Sequence, residues 1–304
     1  MRTSERVSDA ADILREAPRP PRWRRRWTVF RQNRTAVGAA LVILMFMGLA
    51  ISAPVLPLRN PNTIDTAHRL TGPFTLSTAI LGTDEIGRDM LSRLIWGARI
   101  SLLMGFTSAI AALVVGASLG IVAGYWGRGA DQVIMRSMDI IMAFPFILLA
   151  IALVAALGPG LFNAMVAIAV VGVPQYARIV RASTLVVREH EYVLGARAIG
   201  ANSGRLLFRH IAPNIVGPIL VLLTLDIGTK IIATASLSFL GLGAQPPTAD
   251  WGYMLATGRQ YIAAAWWVAT LPGLAIFIVV LAFNLVGDGL RDALDPRSLV
   301  RDLS

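Results

Sequence analysis

Five long stretches of this chain carry almost no charge, and short charged patches separate them. Ala36 to Val55 runs for 20 residues without a charged side chain, Ile100 to Gly127 for 28, Ile140 to Ala177 for 38 and Tyr261 to Gly287 for 27. Pro213 to Gly243 is apolar except for Asp226 and Lys230. None shows the polar stripe of a soluble helix buried on one face, so each reads as a membrane span. A crossing takes about 20 residues. The longest run holds two, because Gly158-Pro159-Gly160 punctuates its middle. The pattern predicts an all-α integral membrane protein with six transmembrane helices. Its parts are an N-terminal tail and interfacial helix (1–35), a first span (36–57), an external segment (58–99), a core of five spans (100–290) and a C-terminal tail (291–304). Within the core, residues 182–212 form a charged, partly helical loop between the fourth and fifth spans.

Arginine placement orients the bundle, since basic residues gather on the cytoplasmic face. The first 35 residues hold ten Arg against four acids, and 178–209 hold six Arg against two. Both termini, the loop near 125–138 and the loop over 178–212 are therefore expected inside. Segments 56–99 and 244–262 are expected outside. Charged residues make up 15% of the chain, where a soluble domain carries about 25%. The net charge of +10 thus reflects topology and anionic headgroups, not nucleic acid. The absence of cysteine excludes disulfides and thiolate metal sites. The first apolar run begins only at Ala36, which predicts an uncleaved anchor instead of a removed leader.

Several local features suggest roles. Residues 1–22 are polar and proline-rich and read as a disordered tail. Trp23, Trp27 and Phe30 share a helix face among arginines, as in an interfacial helix or a simple positive-inside anchor. Around Leu81 to Arg93, Thr83 or Asp84 is expected to cap a surface helix stabilised by Asp84–Arg88 and Asp89–Arg93 pairs one turn apart. Gly116, Gly120 and Gly124 recur every four positions, which lets two helix backbones approach closely in lipid; a chance spacing in a glycine-rich chain gives the same pattern. Tyr125 and Trp126 end that span, and Trp266 and Trp267 open the last. Asp226 and Lys230 lie one turn apart inside the fifth span, marking either a pathway or a neutralised ion pair.

Chemistry for catalysis is missing. The sole lysine is Lys230, so no P-loop ends in lysine. The three histidines are isolated, no metal-ligand cluster is spaced correctly, and no nucleophile elbow or carboxylate pair stands out. Energy must come from a partner or an ion gradient. The patch from Arg188 to Pro213 is where a partner could grip. Arg197, Arg205 and Arg209 can meet acidic or phosphate groups, and Gly195, Ala196, Ala198, Gly200 and Ala201 are small enough to enter a groove. A loop lying on lipid headgroups accounts for the same residues.

That loop resembles the cytoplasmic coupling loop of ATP-binding-cassette importer permeases, whose motif is E-A-A-x-x-x-G-x9-I-x-L-P. Gly200 falls on its glycine and Pro213 on its last proline. Leu194-Gly195-Ala196 replace E-A-A, His210 replaces Ile and Ala212 replaces Leu. Four further segments resemble the "C" permeases of the dipeptide and oligopeptide family: LGTDEIGRDMLSRLIWGARIS from Leu81, MDIIMAFP from Met138, LSFLGLGAQPP from Leu237 and NLVGDGLRDALDP from Asn284. The similarity runs from about Trp23 to Arg297. It implies a non-catalytic permease in the bacterial inner membrane that moves dipeptides or oligopeptides by alternating access. It also implies a second homologous permease, two ATPases that bind the ATP and Mg, and an external binding protein. Glu191, Tyr192, Gly195, Ala196, Arg197, Ala198, Gly200 and Ala201 would then form an ATPase-coupling helix within 191–203. The sequence around Gly243 and Ala265-Trp266-Trp267 is most similar to dipeptide permeases, although glutathione, nickel and opine systems use similar chains. Two other classes remain open from the residues: an ion-coupled secondary transporter using Asp226 or Asp139, and an intramembrane enzyme, for which catalytic groups are wanting.

Overall fold

The computed structural model describes residues 22–294, with side chains described from Trp27 onward. The expected tails over 1–21 and beyond 294, and the side chain of Trp23, lie outside the described residues. The described chain is all-helical. Helix α1 (Arg22–Gln32) and α2 (Arg34–Ser52) meet at Asn33, whose side chain accepts from the Ala36 N–H and caps α2. Then follow α3 (Met90–Trp126), α4 (Arg128–Met142), α5 (Phe146–Leu157), α6 (Leu161–Arg188), α7 (Glu191–Ala198), α8 (Ala212–Phe239), α9 (Trp251–Gly258) and α10 (Trp266–Leu294).

Among the described residues five helices, counting 203–239 as one, are long and apolar enough to cross a membrane. The sixth crossing is a bent pair. α4 and α5 meet at 91° across residues 143–145, where Pro145 disfavours a helical conformation in the residue before it. α5 has only 12 residues, about 18 Å of rise, short of a full crossing. The stretch near 125–138, expected as a loop, is helix α4 almost throughout, separated from α3 by Gly127 alone. The second span begins at Met90, ten residues before the charge-free run, and the last begins at Trp266 instead of Tyr261.

α3 and α6 pack closely along a row of glycines. A Cβ on Gly116 would lie 2.6 Å from the Tyr176 Cβ, one on Gly120 2.6 Å from the Ala177 carbonyl oxygen, and one on Gly124 2.7 Å from the Thr184 Cβ. Only hydrogen in place of a side chain permits that approach. A second core joins α2, α3, α8, α9 and α10 around Trp251, which is fully buried. Its ring meets Phe46 edge-on at 5.8 Å and its indole N–H donates to the Leu94 carbonyl.

The region 81–93 differs from expectation. Residues 81–89 form a buried turn, not a surface helix, and Asp89 caps α3 by accepting from the Leu91 and Ser92 N–H groups. Arg88 pairs with Asp84 at 2.5 Å, as expected, but Arg93 also turns to Asp84, at 3.5 Å, and not to Asp89. Asp84, Arg88 and Arg93 are all buried. The reason is the long segment before them, which folds back over the turn. Leu70 donates to the Asp84 carbonyl, Arg93 to that of Pro61 and Ser92 to that of Arg59. Gly87 (φ +84°) is required there, since a Cβ would collide with the Asp65 carbonyl.

Candidate functional site

At the end of the bundle where α6 stops and α8 starts, residues 189–211 form a short helix, a reversal and a return. α7 is only eight residues long. One apolar row fastens it: Val193 packs with Val180 and Val187 of α6, Leu206 and Ile211 of the return, and Ile215 of α8. α7 stops in a glycine-dependent way. Gly200 N–H donates to the Arg197 carbonyl and Ala201 N–H to that of Ala196, with Gly200 at φ +86°. This double bond pattern with a left-handed residue satisfies the last carbonyls of the helix. A Cβ on Gly200 would meet nothing within 4 Å, so backbone conformation, and no neighbour within this chain, is what favours glycine.

The expected coupling residues do not all face one way. Glu191, Tyr192, Gly195, Arg197, Ala198 and Gly200 are exposed, while Ala196 and Ala201 are half-buried against the Val193 cluster. Apolar side chains stand out beside them. Ile199 is 88% and Phe208 82% exposed. Tyr192 sits between His190 and His210, with ring centroids 5.6 and 6.3 Å away. The return, Leu206–Ile211, is a wider π-type turn, a geometry that often accompanies functional sites.

Sequence reading missed the ion pairs that tie α4 to this end. Arg181 of α6 holds Asp131 of α4, and Arg178 holds Asp139 at 2.6 Å. Arg188 donates to the Gly124 carbonyl at 2.7 Å. The signal was present as acids in α4 and arginines in α6, but their register becomes visible only once α4 is a helix. Asp139 is therefore held in an exposed ion pair.

Asp226 and Lys230 lie near the middle of α8, both buried, with Nζ 3.3 Å from Oδ1. Asp226 also accepts from the Tyr176 hydroxyl of α6 at 2.9 Å and from Thr229 at 2.9 Å. The Lys230 ammonium stands 5.0 Å from the Phe146 ring of α5. Gly172 of α6 makes room for it, because a Cβ there would lie 2.5 Å from Nζ. Beside this network opens a concavity of about 570 Å³ lined by α5, α6, α8 and α10. At the opposite end of the bundle from α7, Asp250 caps α9. It accepts from the Tyr253 N–H at 3.0 Å and the Ser101 hydroxyl at 2.8 Å. Burial pushes its carboxyl above the ordinary aspartate range, and these hydrogen bonds only partly oppose the rise.

Comparison with known proteins gives this architecture a family. Residues 116–300 match the binding-protein-dependent transport system inner membrane component, and residues 21–73 match the N-terminal TM domain of oligopeptide transport permease C. The chain is 46% identical over 275 residues to the dipeptide transport system permease protein DppC of Alkalihalophilus pseudofirmus, covering 90% of each. It is 46% identical over 286 residues to the glutathione transport system permease protein GsiD of Pectobacterium atrosepticum, covering 94% of each. In fold it is similar to a chain of the inward-facing MetNI methionine ABC transporter, with a TM-score of 0.56 at 21% identity, covering 68% of this chain and 98% of that one. The chain belongs to the inner membrane components of binding-protein-dependent transport systems, in the dipeptide and oligopeptide permease branch of "C" type.

Proposed function

We propose that this chain is one of two homologous permeases through which a bacterial cytoplasmic membrane imports short peptides by alternating access. Two ATPase subunits that bind ATP and Mg drive it, and an external binding protein delivers the substrate. The observation that carries the peptide reading is identity at 46% over 90% of both chains with a permease named for dipeptide transport. The relative named for glutathione, itself a small peptide, points the same way. Both termini and the 182–212 loop lie inside in this reading, and residues 191–203 are the ATPase contact. The exposed Tyr192, Ile199 and Phe208, with the exposed Arg197, support that contact, because aromatic and arginine side chains are enriched in protein interfaces. The ion-coupled alternative loses ground because Asp139 and Asp226 each already hold a cation.

The decisive experiment is reconstitution of the complete importer in proteoliposomes with tritiated di- and tripeptides. Uptake that needs both ATP and the binding protein is expected; uptake driven by an ion gradient alone would overturn the reading. Orientation is tested on the same cysteine-free chain. Ser77→Cys should react with an impermeant thiol reagent from outside and Ser203→Cys only from inside; the reverse pattern would invert the topology.

A further inference from the structure

The concavity beside Asp226 and Lys230 has an unusual wall for a membrane-embedded surface. Among apolar residues such as Ile147, Leu222, Leu225 and Ile232, four uncharged polar side chains line it: Gln175 from α6, Thr229 and Ser236 from α8, and Asn284 from α10. Gln175 and Thr229 are exposed, near the middle of helices long and apolar enough to cross a membrane. A polar side chain at such a depth normally faces a bundle interior or a water-filled cavity, not lipid. Helix α2 makes the contrast: Leu41, Leu44 and Met45 are exposed, all apolar and on one face.

We propose that this concavity is a binding subsite for the backbone of a short peptide in transit, with the Gln175 and Asn284 amides donating and accepting hydrogen bonds and the Thr229 and Ser236 hydroxyl oxygens, whose protons go to Asp226 and Ile232, accepting them. The inference rests on the peptide-import reading above and adds to it a place and a substrate length. Thr229 and Ser236 are seven residues apart on one helix, about 10.5 Å along its axis. That matches the extended length of about three peptide residues. The volume, about 570 Å³, lies in the ordinary range of about 300–1,000 Å³ for small-ligand sites. Amide and hydroxyl groups suit the task because every peptide presents the same N–H and C=O groups whatever its side chains. The Asp226–Lys230 pair completes the wall without imposing a net charge, since each neutralises the other and Tyr176 and Phe146 hold them in place. A wall without net charge, polar at these four positions, accepts zwitterionic peptides of differing side-chain charge. The pair is a positioning element here: Thr229 donates to the Asp226 carboxylate, which fixes its hydroxyl at the rim.

The test uses the complete importer in sealed vesicles, with single cysteines placed in this chain. Thr229→Cys, Ser236→Cys and Gln175→Cys are compared with Leu44→Cys on the apolar face of α2, using a small charged methanethiosulfonate reagent admitted to both sides. The three wall cysteines are expected to react at least tenfold faster than Leu44→Cys. Trialanine under turnover conditions should slow them severalfold, and glycerol at the same concentration should not. Because the reporters stand on two helices, misfolding of one variant leaves the others to decide. Wall cysteines as slow as Leu44→Cys would overturn the proposal, meaning that lipid or a protein partner covers the concavity. Fast labelling unaffected by trialanine, in vesicles that import it, would also overturn it, leaving a wet wall that binds no peptide. Failure of the broader reading looks different: vesicles with the unaltered chain would import no di- or tripeptide at all, and the peptide subsite would fall with that reading.

Discussion

Residues 189–211 and the Asp226 network lie at opposite extremes of completeness. The network is satisfied within the chain. Asp226 receives an ammonium, a phenol and a threonine hydroxyl, and Lys230 gains an aromatic face besides. The 189–211 segment is anchored by one apolar row through Val193, and it leaves Tyr192, Ile199 and Phe208 exposed. Buried charge in a membrane bundle must be matched locally, because no water is there to match it. A docking surface must be left unmatched, because its partner supplies the rest. The two regions therefore respond to mutation differently: the first should fail within the chain, the second only within the complex.

The largest effect expected is from breaking the network on one side. Asp226→Leu leaves the Lys230 ammonium buried without its countercharge, and removing one partner of a buried pair costs about 3–5 kcal/mol. Membrane yield and the thermal midpoint of the detergent-solubilised chain should both fall sharply. The double variant Asp226→Leu/Lys230→Met should recover most of the loss, since two apolar residues need no partners. Equal damage from the single and double changes would show that the pair's value lies in the Tyr176 and Thr229 hydrogen bonds and not in its charge.

The docking side is sharpened by two substitutions at Gly200. Any side chain there meets the same left-handed backbone penalty, roughly 1–2 kcal/mol, and none meets a neighbour within this chain. Gly200→Ala and Gly200→Trp should thus be equally stable alone. If an ATPase groove closes over this reversal, Gly200→Trp should lose co-purifying ATPase or uncouple hydrolysis from uptake, while Gly200→Ala keeps most of both. Indistinguishable behaviour of the two in the assembled importer would remove the coupling role from Gly200. Arg197→Glu, at an exposed position, should weaken ATPase association more mildly, and more so at low salt than at high.

What the sequence made legible follows the same division. Charge-poor runs marked the five long apolar helices, because excluding charge is the strongest demand a bilayer makes. Asp226 with Lys230 stood out for the same reason, by sitting where charge is rare. The partners of that pair were silent: Tyr176 and Gly172 lie in an uncharged run, and only the α6–α8 register brings them to Asp226 and Lys230. The expected surface helix at 81–93 misled because i,i+4 spacing of Asp89 and Arg93 fits a helix, whereas the fold-back of residues 56–80 buries Arg93 against Asp84. Helix α4 was missed because its acids and arginines interrupt the apolar signal, though the acids, Asp131 and Asp139, are what fasten it to the arginines of α6.

A third acid tests whether burial or countercharge is what matters. Asp250 is as buried as Asp226, yet the partners that hold it are hydrogen-bond donors: Ser101, the Tyr253 N–H, and more weakly Ser238 and the Gly252 N–H. Its raised pKa means that the folded chain binds the proton more tightly than the unfolded chain does. Folded stability from this group is therefore greatest near the ordinary value of 3.8 and below, and declines as pH rises through the raised value. Asp250→Asn keeps an oxygen for the Tyr253 N–H and removes the buried charge, so it should match or slightly exceed the unaltered chain at neutral pH and lose that part of the pH slope. Asp250→Ala loses the cap and should cost about 1 kcal/mol, within the ~0.5–2 kcal/mol range for such caps. Thermal midpoints of the three proteins between pH 4 and 8 decide the matter. A neutral-pH loss from Asp250→Asn as large as that from Asp250→Ala would show that the carboxylate charge itself, and not the capping oxygen, holds α9 against α3.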